Sequence, residues 1–359
     1  MSERTIIRSG ESATTTTAGA LPLRVRSRWT RILLSRDAVM FYALIAVVVY
    51  AYTQVPYFAS TQTVGFLLLD VIPILLIAMP MALVIITGEI DLSVASTVGL
   101  TSAVMGVLFQ AGVPIGLVLV LCLLLGTFLG AFNGFLVTTL GLPSLAVTIG
   151  TLALYRGFAL VVIGDNAVAN FPQELTRFST SKLGDTGIPV VMLLVLVVAL
   201  FFGVLLHFTP FGRALFALGF NKEAAAFVGI RVGRAKFWLF VSTGLVSSLA
   251  GIFWTLRYSS ARSDNATGIE LAVIAAVLLG GVSIFGGKGS IPGVIIGVLL
   301  IGTINYTLRL ARFSDVVLSI VTGALLIASV VAPSIAEWAR GRLHARRTTR
   351  LELQKAAAQ

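Results

Sequence analysis

The sequence predicts an all-α fold, a polytopic transmembrane helix bundle of about ten spans, and three observations carry that prediction. Hydrophobic residues make up 57% of the 359-residue chain and charged residues 11%, less than half the usual charge of a water-soluble domain. Apolar runs of about 20 residues, the length that crosses a hydrocarbon core, recur from Met40 to Ala332. The basic residues gather in three places: seven before the first run, five between Arg213 and Lys236, and six after the last. That clustering is the positive-inside pattern. It explains the net charge of +11 through topology and contact with an anionic lipid bilayer, not through nucleic acid.

Each element follows in order. Residues 1–36 are polar, with a threonine tract and scattered arginines, and read as a disordered basic cytoplasmic tail. The transmembrane domain, 37–333, is expected to hold spans at 38–54, 64–87, 92–111, 115–139, 142–164, 188–208, 237–258, 270–284, 290–308 and 315–333. The runs are continuous rather than alternating, which argues against a β-barrel. Residues 209–236 interrupt them as a cytoplasmic loop, and 334–359 form a basic cytoplasmic tail. Ten crossings place both termini and the central segment on the same, inner side. Eight crossings fit nearly as well if 270–308 is re-entrant. Pro73, Pro80, Pro114, Pro143 and Pro292 fall within or at the mouths of spans. Broken membrane helices survive only where the freed backbone meets protein or a wet cavity, so the prolines favour a route through the bundle over a passive anchor.

Two glycine ladders mark close helix contacts: Gly126, Gly130 and Gly134, then Gly289, Gly293 and Gly297. They occupy the third span of two groups, spans 2–5 and 7–10, which ten crossings would run in opposite directions. The two groups therefore read as an inverted repeat. Plain helix packing explains the ladders without any substrate role.

Glu89 and Asp91 interrupt an apolar stretch, where charge is costly. Gly88 can end the second span, and Asp91 or Ser93 can cap the third by accepting backbone N–H bonds. Ion coupling through these carboxylates is the competing reading. No catalytic constellation is found. The two histidines, His207 and His344, and the single cysteine, Cys122, offer no metal set, no nucleophile–base pair and no internal disulfide. The stretch Gly286–Ser290 fails the phosphate-loop pattern, leaving Lys288 as an inner-side topology charge. No cofactor and no metal are expected.

The central segment is the informative exception. Residues 221–227, NKEAAAF, read as a short helix. Asn221 is its N-cap, Glu223 suits its positive first turn, and the alanines leave a slim face. Phe227 gives one bulky anchor and Gly229 ends the turn. Such a helix suits insertion into a groove on a partner protein. An ordinary surface loop is the bland alternative.

The pattern of Gly212, Arg213, Gly219, Asn221, Ala224, Ala225, Gly229 and Ile230 resembles the coupling loop of ABC-importer permeases. Thr87–Val94, Asn133-Gly134, Leu142-Pro143-Ser144, Thr148 with Gly150, Arg156-Gly157 and Gly286-Gly287 with Gly289 extend the likeness from Asp37 to Ala332. It is nearest to the ribose, xylose, arabinose, rhamnose and autoinducer-2 branch. Val228 departs from it, standing where a serine commonly precedes the glycine. The resemblance implies a permease without its own ATPase site, importing a sugar or sugar-like solute across a bacterial inner membrane. The partners it implies are cytoplasmic ABC ATPase subunits, an external solute-binding protein and a second permease subunit, as homodimer or heterodimer. Uncharged groups suit such a path, and Asn133, Thr148, Thr151, Asn305 and Tyr306 are its candidates; interhelical hydrogen bonding is their bland alternative. An ion-coupled secondary transporter and an integral membrane enzyme acting on lipid are the rival classes.

Overall fold

The computed structural model describes residues 36–331 and Ile335, so the expectations for the two tails lie outside the described residues. The described chain is helical apart from one short ribbon. Five helices come first: α1 (Arg36–Gln54), α2 (Thr61–Ile86), α3 (Val94–Gln110), α4 (Ile115–Thr138) and α5 (Ser144–Ile163). A covering segment follows, with strand β1 (Val168–Ala169) and helix α6 (Gln173–Thr180). Then come α7 (Met192–Phe208), α8 (Pro210–Phe220), α9 (Lys222–Phe227) and α10 (Val232–Tyr258). Strand β2 (Ser260–Ala261) precedes α11 (Ile269–Leu279), α12 (Ile291–Leu310) and α13 (Asp315–Val331).

Every expected span contains a helix, but not every helix is a full span. Among the described residues, six helices are long and apolar enough to cross a membrane, seven if the bent pair α7–α8 counts as one. The runs expected at 92–111, 270–284 and 315–333 hold the shorter helices α3, α11 and α13. The largest correction is α11, whose 11 residues rise only about 16 Å. The chain leaves the helix at Gly280-Gly281, yet Val282, Ile284 and Phe285 keep the stretch apolar, so hydropathy alone reads on past the break. The span expected from residue 237 begins earlier, at Val232.

Helix α2 is the central post. Nearly all of it is buried, Pro73 and Pro80 included, whereas α1 lies on the periphery. Its sides are covered by α10, α11, α12 and α7. Helix α10 in turn packs on α3 and α4. If α2–α5 are laid in order on α10–α13, the contact of α4 with α10 corresponds to that of α12 with α2. The contact of α3 with α10 corresponds to that of α11 with α2, and that of α3 with α4 to that of α11 with α12. All of these contacts occur, and α2 meets α10 directly.

The glycine ladders sit at the closest of these contacts. A Cβ on Gly130 would collide with the Phe240 carbonyl, and Gly126 and Gly130 abut Gly244 of α10. Gly134 faces Phe237. In the second ladder, Gly293 and Gly297 press on Gly280 and Ala276 of α11, while Gly289 rests on Ile86 and Val282. Both ladders therefore let backbones approach where any side chain would hold them apart.

Strands β1 and β2 pair antiparallel, Val168 opposite Ala261, and tie the segment after α5 to the segment after α10. At the opposite end, the Ser290 hydroxyl donates to Asp37 Oδ2 at 2.9 Å and the Ile291 N–H to His207 Nε2 at 3.2 Å. These bonds gather the starts of α1 and α12 and the end of α7 on one face, which also carries α8 and α9.

Candidate functional site

The interrupting segment 209–236 holds the expected short helix after Asn221, and two further helices, α8 and the start of α10, flank it. Thr209 caps α8 by accepting the Gly212 N–H at 3.1 Å, Pro210 opens the helix, and α8 leaves α7 at 69°. Gly212 sits in the bend, where a Cβ would strike the Leu206 carbonyl. Asn221 then accepts the Ala224 N–H at 2.9 Å and starts α9. The end of α9 is closed by paired bonds, Gly229 N–H to the Ala226 carbonyl at 3.0 Å and Ile230 N–H to the Ala225 carbonyl at 3.1 Å. Gly229 carries φ +85°, the left-handed conformation this closure needs.

Exposure sorts the side chains of α9 by role. Phe227 is 93% exposed and Val228 76%, a protruding apolar tip beside the 68% exposed Phe220. Arg213, Glu223, Ala224 and Arg231 are also exposed. Ala225 is not: at 3% exposure it packs into the chain's own core, which removes it from any surface a partner could touch.

Gly219 fixes this surface to the bundle. A Cβ there would collide with the Ile86 carbonyl at the end of α2 and with the Gly287 N–H. That N–H donates to the same Ile86 carbonyl at 2.9 Å. Three chain segments thus meet backbone to backbone at one point. Lys288, beside it, is exposed.

The break between α2 and α3 lies just beyond Ile86. Gly88 adopts φ +78°, and the freed backbone finds partners: the Ile90 N–H donates to Ser144 Oγ and its carbonyl accepts from Thr148 Oγ1, both at 3.3 Å. Asp91, 1% exposed, accepts a backbone N–H as expected, from Ser93. Its Oδ1 accepts the Ser93 N–H at 3.0 Å and the Ser93 hydroxyl at 2.6 Å, and its Oδ2 accepts the Thr243 hydroxyl of α10 at 2.7 Å. It is a turn former and interhelical anchor, while Ser93 at the N-cap position makes no side-chain capping bond. Asn133 Nδ2 donates to Ser93 Oγ at 2.8 Å, and the Tyr155 hydroxyl lies 3.2 Å from Asn133 Oδ1 and 3.0 Å from the Leu129 carbonyl.

This network decides the placement of three path candidates. Asn133, Thr148 and Thr151 are 1%, 0% and 4% exposed, within helix packing rather than on a cavity wall. Lys236, one of the five central basic residues, is a buried partner of Glu89, with side-chain exposures of 7% and 16%. Sequence reasoning missed this pair and Thr243, because nothing local signals a partner about 150 residues away.

Asn305 and Tyr306 lie near the opposite end of the α2–α10–α12 contact. There they line a cavity of 210 Å³ together with Asp70, Trp254, Tyr258 and Arg309. Asp70 is ion-paired to Arg257 and, at 3.2 Å, to Arg309. Near β2, a 500 Å³ groove is lined by Arg156, Asp165, Asn166, Arg262 and Asp264. Arg156 donates to the carbonyls of Ser263 and Asn265 at 2.6 and 2.9 Å, so it supports this loop from within. The Arg262 guanidinium, hydrogen-bonded to Asp264, holds that carboxyl below its usual range. Among the described residues no cluster of His, Cys, Asp and Glu could hold a metal ion.

Residues 63–330 match the family described as branched-chain amino acid transport system / permease component. The Autoinducer 2 import system permease protein LsrD of Klebsiella pneumoniae is 37% identical over 280 residues, 76% of this chain and 84% of that protein. The protein of the same name from Escherichia coli K12 is 39% identical over 272 residues, 74% of this chain and 82% of that one. Its Yersinia enterocolitica counterpart is 37% identical over 272 residues, again 74% of this chain and 82% of the relative. No solved structure matches the chain.

Proposed function

Because the chain belongs to the branched-chain amino acid transport system / permease component family, a multi-pass ABC-import permease whose ATP hydrolysis resides in partner subunits, we propose that it imports autoinducer 2 or a closely similar sugar-like solute. The observation that carries the mechanical side of this reading is α9: a short, doubly capped helix presenting Phe227 at 93% exposure. We infer that α9 seats in a groove on a cytoplasmic ATPase subunit, with Phe227 as its apolar anchor and Arg213 and Arg231 meeting acidic groups. The face carrying α8 and α9 is then cytoplasmic, as are both tails, in a bacterial inner membrane. The groove near β2 faces an external solute-binding protein.

Closure of the ATPases pushes α9. The push reaches α2 and the turn at Gly286-Gly287 through Gly219. Matched contacts of α2–α4 and α10–α12 support an inverted repeat around the α2–α10 axis, the symmetry that lets one bundle open to either side. A second permease copy or a close relative completes the path. The lining assigned to Asn305 and Tyr306 belongs to this proposal; burial of Asn133, Thr148 and Thr151 gives them an anchoring role instead.

The test is reconstitution of the permease with its ATPase and binding-protein partners in proteoliposomes. ATP inside the vesicles should drive uptake of autoinducer 2 added outside. Uptake that follows a proton or sodium gradient and ignores ATP would replace this reading with the ion-coupled one.

A further inference from the structure

We propose that the cavity between α2, α10 and α12 is a binding site for a small, neutral, polyhydroxylated solute, a way-station on the import path proposed above and dependent on that reading. The cavity of 210 Å³ is lined by Asp70, Trp254, Tyr258, Asn305, Tyr306 and Arg309. It holds the volume of about seven waters at about 30 Å³ each, the scale of one small polyol. A neighbouring 570 Å³ cavity shares Asp70, Tyr258, Tyr306 and Arg309 with it and forms its vestibule.

The groups on its wall select the ligand. Asp70 is 24% exposed and has spent one oxygen on Arg257 and the other on Arg309. A carboxylate has about four lone-pair positions, so it can accept further hydrogen bonds. Asn305 donates to Thr322 at 3.4 Å, but its Oδ1 is buried without a hydrogen-bond partner among the described residues. Turning that amide toward an entering group breaks no acceptor bond. Arg309, 56% exposed, keeps most of its donors free. The site therefore wants a ligand that both donates and accepts, as a hydroxyl does. Asp70 accepts from a donor hydroxyl, which an ionised carboxylate does not offer. A cation would meet Arg309 and the buried Arg257.

The aromatic wall supplies the rest. Trp254 and Tyr258 lie with ring centroids 5.4 Å apart and planes at 50°, forming an angled apolar surface. Arg257 stands 4.8 Å from the centre of the Tyr258 ring and fixes it in place. A polyol has a C–H face for such rings and a rim of hydroxyls for Asp70, Asn305 and Arg309.

Trp254 makes the site testable by fluorescence. The full-length chain in lipid nanodiscs is titrated with D-ribose as the polyol probe and with sodium acetate as the anion probe, without ATP. The expected result is a saturable emission change with ribose that disappears in Trp254→Phe. Asn305→Ala and Asp70→Asn should each weaken it about tenfold, the scale of one lost hydrogen bond to a charged or buried partner. If Asp70→Asn does not assemble, Asn305→Ala decides. An absent or non-saturable change, a change that survives Trp254→Phe, equal affinity in Asn305→Ala, or an equal response to acetate overturns the proposal. A chain that binds ribose in this way but shows no ATP-driven uptake fails the import reading instead. A chain that transports but shows no response dependent on Trp254 fails the cavity alone.

Discussion

Glu89, just past the end of α2, is ion-paired with Lys236 in the first turns of α10, and both side chains are largely buried. At the other end of the same helix pair, Arg257 near the end of α10 reaches Asp70 on α2. The two central helices are thus pinned to each other at both ends by charge, across a contact that is otherwise apolar.

Removing one member of the Glu89–Lys236 pair should be worse than removing both. A buried charge left alone costs about 3–5 kcal/mol, whereas an apolar replacement of the whole pair is close to neutral. Glu89→Leu and Lys236→Met should each lower the thermal unfolding temperature in detergent sharply. The double variant should recover most of the loss, a coupling read from a double-mutant cycle. Additive losses would show that the two charges do not stabilise each other.

Asp91 separates anchoring from ion coupling. In Asp91→Asn the amide oxygen can still take both bonds from Ser93, and the amide N–H can face Thr243 Oγ, whose proton then goes to the Phe240 carbonyl 2.8 Å away. The Asn variant should keep substantial uptake from about pH 5 to 8. Asp91→Ala orphans buried donors at about 1–3 kcal/mol each and should fail to accumulate. Loss of uptake in a normally expressed Asn variant, with a flattened pH profile, would favour the ion-coupled mechanism.

Helix α9 gives a contrast between neighbours. Phe227→Asp changes a side chain that is 93% exposed, so the subunit should fold and insert normally, while ATPase co-purification and uptake collapse. Ala225→Arg places a charge at a 3% exposed core position and should cut expression before any docking is tested. ATPase retention by Phe227→Asp at wild-type levels would remove Phe227 from the interface.

These placements show which parts of the chain were legible from sequence. Asn221, Gly229 and the helix between them could be read, because capping chemistry is local and needs only nearby residues. The helices could be located from hydropathy, but not the end of α11, since Val282, Ile284 and Phe285 are as apolar as the helix they follow. Ala225 looked interchangeable with Ala224, and only the docking of α9 onto the bundle tells them apart. Asn133 reads as a path candidate because an uncharged polar group suits a neutral solute; its partners Ser93 and Tyr155 come from outside its own helix. Pairings of that kind have no one-dimensional signature.

Glycine packing also gives a paired forecast. Gly130→Ala must push the Phe240 carbonyl away and should destabilise the α4–α10 contact by about 1–3 kcal/mol, the overpacking range. Gly150→Ala has open space around its new methyl and should raise helix stability by about 0.5–1 kcal/mol. Unfolding midpoints of the two variants in the same detergent should move in opposite directions. A shift in the same direction would mean that backbone approach does not limit this interface.

The meeting of Gly219, Ile86 and Gly287 has a mechanical consequence. Side chains absorb displacement by changing rotamer, and a contact built from them carries slack. Here carbonyl, amide and α-carbon approach directly, so the junction has no side-chain rotamer to absorb a displacement. A shift of α8 by even a fraction of an ångström must appear at the end of α2 and at the turn before α12 together. The junction is a bearing without side-chain slack, and its stiffness comes from main chain alone.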